Sequence, residues 1–327
     1  MIFDTTSSKE TSENIPSESF NPMPQRLLFH IGYHKTATTW MQKLLFLPIH
    51  GYYPLASHDQ VFEHVTSPHG LRFDPAPMRR LIADGIKAVP PNSVPVVSSE
   101  ILCGNLFFGG RESEVYADRL KTIAPDARIL ISIRSQLQLL PSVYMQYVSR
   151  GGTMSYKQFF ETKIPLGYFG FDATHFEYDR LVARYQTLFG TDNVFLLSQE
   201  SLKTDMEAAA QKLAKFCDNA DFRGLTREAY RVVMASYPEY AAPFLRRVNH
   251  VQKSVLSPNP IITLGEAPGG LYKAVGYVLK APFLARRLKT CQPVSRYVQR
   301  HFAGRYTDSN ARLAALTGGT LDLSKYR

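Results

Sequence analysis

Phe29-His30-Ile31-Gly32-Tyr33-His34-Lys35-Thr36-Ala37-Thr38-Thr39-Trp40 is the stretch on which the reading of this chain turns. The segment Arg26-Leu27-Leu28-Phe29-His30-Ile31 that leads into it has an apolar strand pattern, and Trp40-Met41-Gln42-Lys43-Leu44-Leu45-Phe46 that leads out is apolar and helical. Strand, tight loop of small and polar residues, then helix is the opening of a βαβ unit. Such a loop exposes successive backbone N–H groups, and the positive end of the following helix adds to them, so Gly32 to Thr39 predicts an anion site. Lys35 supplies a full charge, and Thr36, Thr38 and Thr39 supply hydroxyls. The loop is not a Walker A motif, which needs Gly, four residues and then Gly-Lys-Ser/Thr. Lys35 comes too early, and no second glycine follows before the helix. A nucleoside-triphosphate enzyme with bound Mg²⁺ is therefore the weaker reading.

Working outward, three further apolar runs read as buried strands: 94–98, ending in Ser99-Glu100; 127–133, ending at Arg134; and 193–197. Uniformly apolar, β-branched or leucine-rich runs of this length suit strands covered on both faces of a parallel sheet. Helical segments are expected at about 76–88, 112–123, 136–150, 175–189 and 203–217. Alternating strands and helices imply an open parallel α/β sheet, which binds ligands outside the carboxyl ends of its strands. Gly32 to Thr39, Glu100 and Arg134 all fall at such ends.

A second anion site is legible after the third of these strands. Arg134 offers a planar fork for phosphate oxygens, and Ser142, eight positions later on the following helix, can reach the same anion. Taken alone, an arginine and a helix serine are a weak pattern. Their order and spacing after the lysine loop give them weight.

Gly-Tyr-His-Lys-Thr-Ala-Thr-Thr-Trp resembles the 5′-phosphosulfate loop of sulfotransferases that use the donor PAPS (3′-phosphoadenosine-5′-phosphosulfate), whose cytosolic members carry Tyr-Pro-Lys-Ser-Gly-Thr-Thr-Trp there. Arg134 and Ser142 match the family's 3′-phosphate pair in type and spacing. The resemblance implies that Lys35 meets the 5′-phosphate and the transferring sulfuryl group. Thr36, Ala37, Thr38 and Thr39 would cradle the 5′-phosphate, and Trp40 would pack beside the adenine. Ala37 replaces a frequent glycine and is strained if its φ is positive. The likeness continues more loosely through Phe195 to Leu202 and through Tyr306 to Asn310 with Leu321-Asp322-Leu323, as in bacterial members. The expected fold is α/β, a P-loop-like domain with a central parallel sheet flanked by helices on both faces.

For the general base, the resemblance to carbohydrate sulfotransferases, which carry a glutamate after the second strand, points to Glu100; the plain alternative is a structural carboxylate. Cytosolic members use a histidine. His34, where that family has proline, is the rival, with a side chain expected to face away. His58, His64 and His69 lie in a polar segment suited to lining an acceptor site. No histidine pair has metal-ligand spacing with a third ligand, so no metal is expected.

Composition sets the remaining bounds. Of 327 residues, 44% are hydrophobic and 20% charged, which suits a globular enzyme, and no run of apolar residues is long enough to span a membrane. Residues 1–24, rich in Ser, Thr, Glu and Pro, read as a flexible tail without a secretory signal, and 25–327 as the sulfotransferase domain. Cys103, Cys217 and Cys291 are too widely spaced for a disulfide framework or metal site, which points to a reducing, cytoplasmic compartment. The formal charge of +10 suits an anionic ligand or surface. From about 269 the chain turns helical and basic, with nine Lys and Arg against Asp308 alone between 271 and 312. The expected partner is a hydroxyl-bearing glycan or glycolipid, with peripheral contact at the inner membrane surface through this basic region, and no nucleic acid. A small phenol in an aromatic pocket is the second acceptor; a nucleotide- or polyanion-binding protein without catalysis is the competing class.

Overall fold

A computed structural model describes residues 25–161, 170–231, 237–260, 262–279, 281–288, 290–319 and 321–326. The expected tail at 1–24 lies outside the described residues. Five strands, β1 (Leu28–His30), β2 (Tyr52–Pro54), β3 (Val94–Ser98), β4 (Arg128–Ile133) and β5 (Val194–Ser198), form one sheet in the order β2-β3-β1-β4-β5. Every pairing is parallel, with Phe29 opposite Val97 on one side and Ile129 on the other.

The apolar runs behave as doubly covered strands must. Phe29, Val97, Ile129 and Ile131 point into one core, under helices Ala76–Ile86, Ser113–Ile123, Gln136–Ser149 and Tyr178–Phe189. Leu28, Val96, Leu130 and Leu197 point into the other, under helix Met206–Phe216 and the turn Met41–Leu45. Each fully buried Leu, Ile or Val contributes roughly 1.5–3 kcal/mol against an extended reference chain, an upper bound.

Differences from expectation are local. Strand β2 was not legible, because three residues at a sheet edge carry no period; Pro54, which lacks an N–H, fits such an edge. The helix after the lysine loop is a single turn, Thr38–Trp40, continued by the π-turn Met41–Leu45. The helix expected at 203–217 is two, Gln199–Thr204 and Met206–Phe216, because Asp205 caps the second by accepting from Ala208 N at 2.9 Å. The one expected at 175–189 begins at Tyr178, after a 3₁₀ turn Ala173–Phe176 capped by Asp172.

The C-terminal helices pack back on this body. Pro293–Phe302 buries Val294, Tyr297, Val298 and Phe302, and Thr307–Leu316 buries Leu313. Aromatic rings join them to helix Gln136–Ser149: Tyr144–Phe159 at 5.7 Å, Phe160–Phe302 at 5.4 Å and Tyr156–Tyr297 at 5.3 Å between centroids. Such pairs add about 0.5–1.5 kcal/mol each beyond the area they bury. The final residues reach the sheet: Tyr326 Oη donates to Glu200 at 2.9 Å, and Ser135 Oγ to the Lys325 carbonyl at 2.7 Å. Among the described residues no helix is long and apolar enough to cross a membrane.

Candidate active site

The loop after β1 is tied on both sides before it turns. Ser99 N donates to the His30 carbonyl at 3.1 Å, while Ile31 N and Tyr33 N donate to the carbonyls of Leu130 and Ser132, both at 2.9 Å. These bonds hold the loop between the carboxyl ends of β3 and β4. Lys35 and Ala37 then adopt left-handed backbone, φ 66° and φ 72°. This conformation turns N–H groups into a common concavity, an anion nest. The suspected strain at Ala37 is therefore real; a non-glycine residue there costs about 1–2 kcal/mol.

A buried polar chain supports the nest from below. His30 Nδ1 lies 2.7 Å from Ser98 Oγ and Nε2 3.1 Å from Ser132 Oγ. Ser132 Oγ meets Thr36 Oγ1 at 2.7 Å, and Thr36 Oγ1 donates to the Tyr33 carbonyl at 2.5 Å. Burial pushes the His30 imidazole down to about 3, against a smaller upward pull from Glu100, so it is neutral scaffold. Gly32 is required beside it: a Cβ there would stand 1.9 Å from Ser132 Oγ and 2.6 Å from His30 Nε2. Thr36 thus uses its hydroxyl inward, and only its backbone is left to face an anion. Thr39 is exposed and Thr38 buried. Trp40 is buried too, its Nε1 donating to the Ala229 carbonyl at 2.6 Å.

Charged and titratable groups gather around Lys35. Glu100 opens the turn Glu100–Cys103 after β3, and its Oε2 accepts from Gln42 Nε2 at 3.4 Å. Burial alone would raise its pKa. Its own N–H, the His34 and His58 imidazoles and Gln42 outweigh that and hold it below the usual glutamate range. His34 does not face away: it comes within 3.8 Å of Cys103 Sγ and lies in the field of Glu100. Burial, against the pull of Glu100, pushes it well below the ordinary 6.5, with Lys35, Arg150 and His58 adding to the depression. His58 Nδ1 meets Ser99 Oγ at 2.8 Å, whereas His69 caps its own exposed turn by accepting from Leu71 N. Lys35 is lowered by burial and by Arg150, and partly restored by Glu100. Arg150, which caps helix Gln136–Ser149, was not singled out in the sequence; an arginine after a helix carries no signal of its own.

The second cluster lies after β4. Arg134 Nη1 donates to Ser142 Oγ at 3.3 Å, and Tyr178 Oη donates to the Arg134 carbonyl at 2.7 Å. Glu200, at the start of helix Gln199–Thr204, accepts from Ser135 N at 3.1 Å and raises the Arg134 guanidinium that burial lowers. Arg134 Nε is buried and has no hydrogen-bond partner among the described residues, an unmet donor that an anion would satisfy. A cavity of about 1340 Å³ opens beside it, lined by Arg134, Ser142, Tyr240, Arg296 and Arg300.

The structure of a sulfotransferase from Alicyclobacillus acidocaldarius matches 93% of this chain and 99% of its own, at 18% identity and a TM-score of 0.51. The fold is that of a sulfotransferase. More distant are the sulfotransferase domain from the curacin biosynthetic pathway and mouse sulfotransferase SULT7A1 complexed with PAP. The former has 11% identity and a TM-score of 0.40, covering 85% of this chain and 98% of its own. The latter has 13% identity and a TM-score of 0.36, covering 86% and 91%. No family model and no curated protein matches the chain. Within this sulfotransferase fold, Lys35, His34 and Glu100 share one neighbourhood, and Arg134 with Ser142 form the other. Among the described residues no group of His, Cys, Asp and Glu could hold a metal ion.

Proposed function

We propose that the chain is an O-sulfotransferase that moves the sulfuryl group of PAPS to a hydroxyl of a glycan or glycolipid and releases PAP. The observation that carries this reading is the left-handed Lys35–Ala37 nest beside an ionised Glu100, with the unmet Arg134 Nε on the neighbouring strand end. In the transfer, the acceptor oxygen bonds to sulfur as the bond from sulfur to the 5′-phosphate oxygen breaks. The hydroxyl proton passes to the Glu100 carboxylate, and the charge left on the 5′-phosphate is met by Lys35 and the loop N–H groups. Arg134 and Ser142 hold the 3′-phosphate. Six aromatic side chains, Tyr144, Tyr156, Phe159, Phe160, Tyr297 and Phe302, pack against one another instead of opening a pocket, which supports the larger polar acceptor.

Donor choice separates this reading from a kinase and from a polyanion-binding protein. In a thermal-shift panel, PAP should stabilise the protein far more than ATP or a sulfated polymer. Turnover with PAPS should survive EDTA, because the sulfuryl group carries less charge than a phosphoryl group and Lys35 with the loop N–H groups can meet it. Stabilisation by polymer alone would remove the enzyme reading, and metal-rescuable loss in EDTA would favour the kinase.

Glu100→Gln keeps the shape of the side chain but cannot take a proton, so the chemical rate should fall about 10²-fold or more while PAP affinity stays within a few-fold. The sign of the pH effect follows from the depressed carboxyl. The base stays ionised down through its own lowered pKa, so the native rate should be level between about pH 8 and about pH 5, above the ordinary glutamate value of about 4.3. An acid limb in the ordinary histidine range, about 6.5, would move the role to a histidine other than His34, whose imidazole burial holds well below that range.

A further inference from the structure

The basic C-terminal region contains a helix that is apolar on the wrong side. Gly270–Leu279 buries Tyr272, Gly276 and Leu279 against the body. On the opposite side it presents Leu271, Ala274, Tyr277 and Val278 to solvent, with Tyr277 83% and Val278 61% exposed. The apolar residues of this helix are thus split between two faces, and half of them face out. The next helix, Pro282–Leu288, adds Phe283 at 65% exposure, with the Arg287 guanidinium 5.7 Å over its ring. Val255, Ile262 and Leu264, in the segment leading into the first helix, are exposed as well. A soluble surface helix carries charge on its outer face; this one carries Lys273, and on the next Arg287 is exposed while Arg286 borders the cavity beside Arg134. Among the described residues no ion pair engages any of the three. The sequence holds no carboxylate between Glu266 and Asp308, and Lys280 and Lys289, outside the described residues, add to the same sign.

We infer that the outer face of Gly270–Leu279 and Pro282–Leu288 docks on an anionic lipid surface. Exposed large apolar side chains rimmed by unpaired cations are what such a surface binds: rings and aliphatic groups enter the boundary while the basic groups remain at the headgroups. The charge settles the occupant. A second copy would bring the same cations against themselves, whereas each Lys or Arg near an anionic bilayer strengthens binding roughly fivefold. At ten residues, a helix of about 15 Å lies along the interface and does not cross it. This inference does not depend on the sulfuryl-transfer reading. If both hold, the acceptor hydroxyl is one carried at the membrane surface.

The test is co-sedimentation of the full chain with phosphatidylcholine vesicles, with and without one third phosphatidylglycerol. The native protein should pellet with the anionic vesicles, much less with the neutral ones, and less as salt rises. Tyr277→Ser, Val278→Ser and Phe283→Ser together should lower binding about tenfold or more at unchanged Tm, since all three side chains are exposed. Lys273→Gln with Arg287→Gln should remove the preference for anionic lipid. A native protein that stays in the supernatant, or a triple variant that binds as the native chain does, overturns the inference. So does a native dimer by light scattering that the triple variant turns into a monomer, which would make the face an interface between copies.

Discussion

Lys35→Ala should reduce kcat with PAPS by about 10³-fold or more while leaving the fold intact. The residue sits in a left-handed turn at the end of β1, exposed to the cleft and flanked by Arg150 and Glu100. Removing one preorganised donor at a developing negative charge typically lowers kcat about 10²–10³-fold. Here the donor also carries a full charge. Alanine is no worse than lysine at φ 66°, so the Tm should move little. Single-turnover and steady-state rates should fall together. A variant with near-native kcat would show that the loop does not meet the leaving group.

Arg134→Ala should act on binding instead. The guanidinium already spends one bond on Ser142 and holds Nε buried without a partner. Hydrogen bonds to charged groups contribute about 1.5–3 kcal/mol each, so loss of the fork should weaken PAP binding about 10²-fold by calorimetry. The effect on kcat at saturating donor should be much smaller, because this end of the nucleotide does not change charge in the reaction. Arg134→Lys should recover only part of the affinity, since a point charge cannot reproduce the planar fork. Unchanged PAP affinity in the alanine variant would remove the 3′-phosphate assignment.

Much of the architecture was legible because burial on both faces leaves a simple imprint. Strands β1, β3, β4 and β5 are mainly apolar runs, and polar residues that mark the cleft follow β3 (Ser99, Glu100) and β4 (Arg134). Lys35, Glu100, Arg134 and Ser142 were singled out because they sit at strand ends or at a fixed spacing from them. The rest depends on contacts between residues distant in the chain. His30 reads as part of an apolar strand until Ser98 and Ser132 from two other strands reach both of its nitrogens. Glu200 gains its role from the Ser135 amide and from Tyr326, far along the chain. Thr36 was expected to offer a hydroxyl outward, and only the position of Ser132 reveals that it turns inward. For Gly270–Leu279 the sequence offered an apolar stripe but not its orientation: periodicity says which residues share a stripe, not which stripe meets the body.

The imidazole beneath the nest has a consequence for where the protein can work. His30 and His175 both sit buried and uncharged, each pushed down to about 3 from an ordinary 6.5. Unfolded, each binds a proton as the solution is acidified below 6.5; folded, neither does until about 3. Proton binding therefore favours the open chain across that whole interval, and the stability these groups permit is complete above pH 6.5 and drains away as the pH falls. The carboxylate at the reacting centre stays ionised into mildly acidic solution, while the support under the lysine loop is already losing stability there. Acid inactivation should then include loss of the cradle as well as titration of the catalyst, and a ligand bound in the cradle should push that loss to lower pH by mass action.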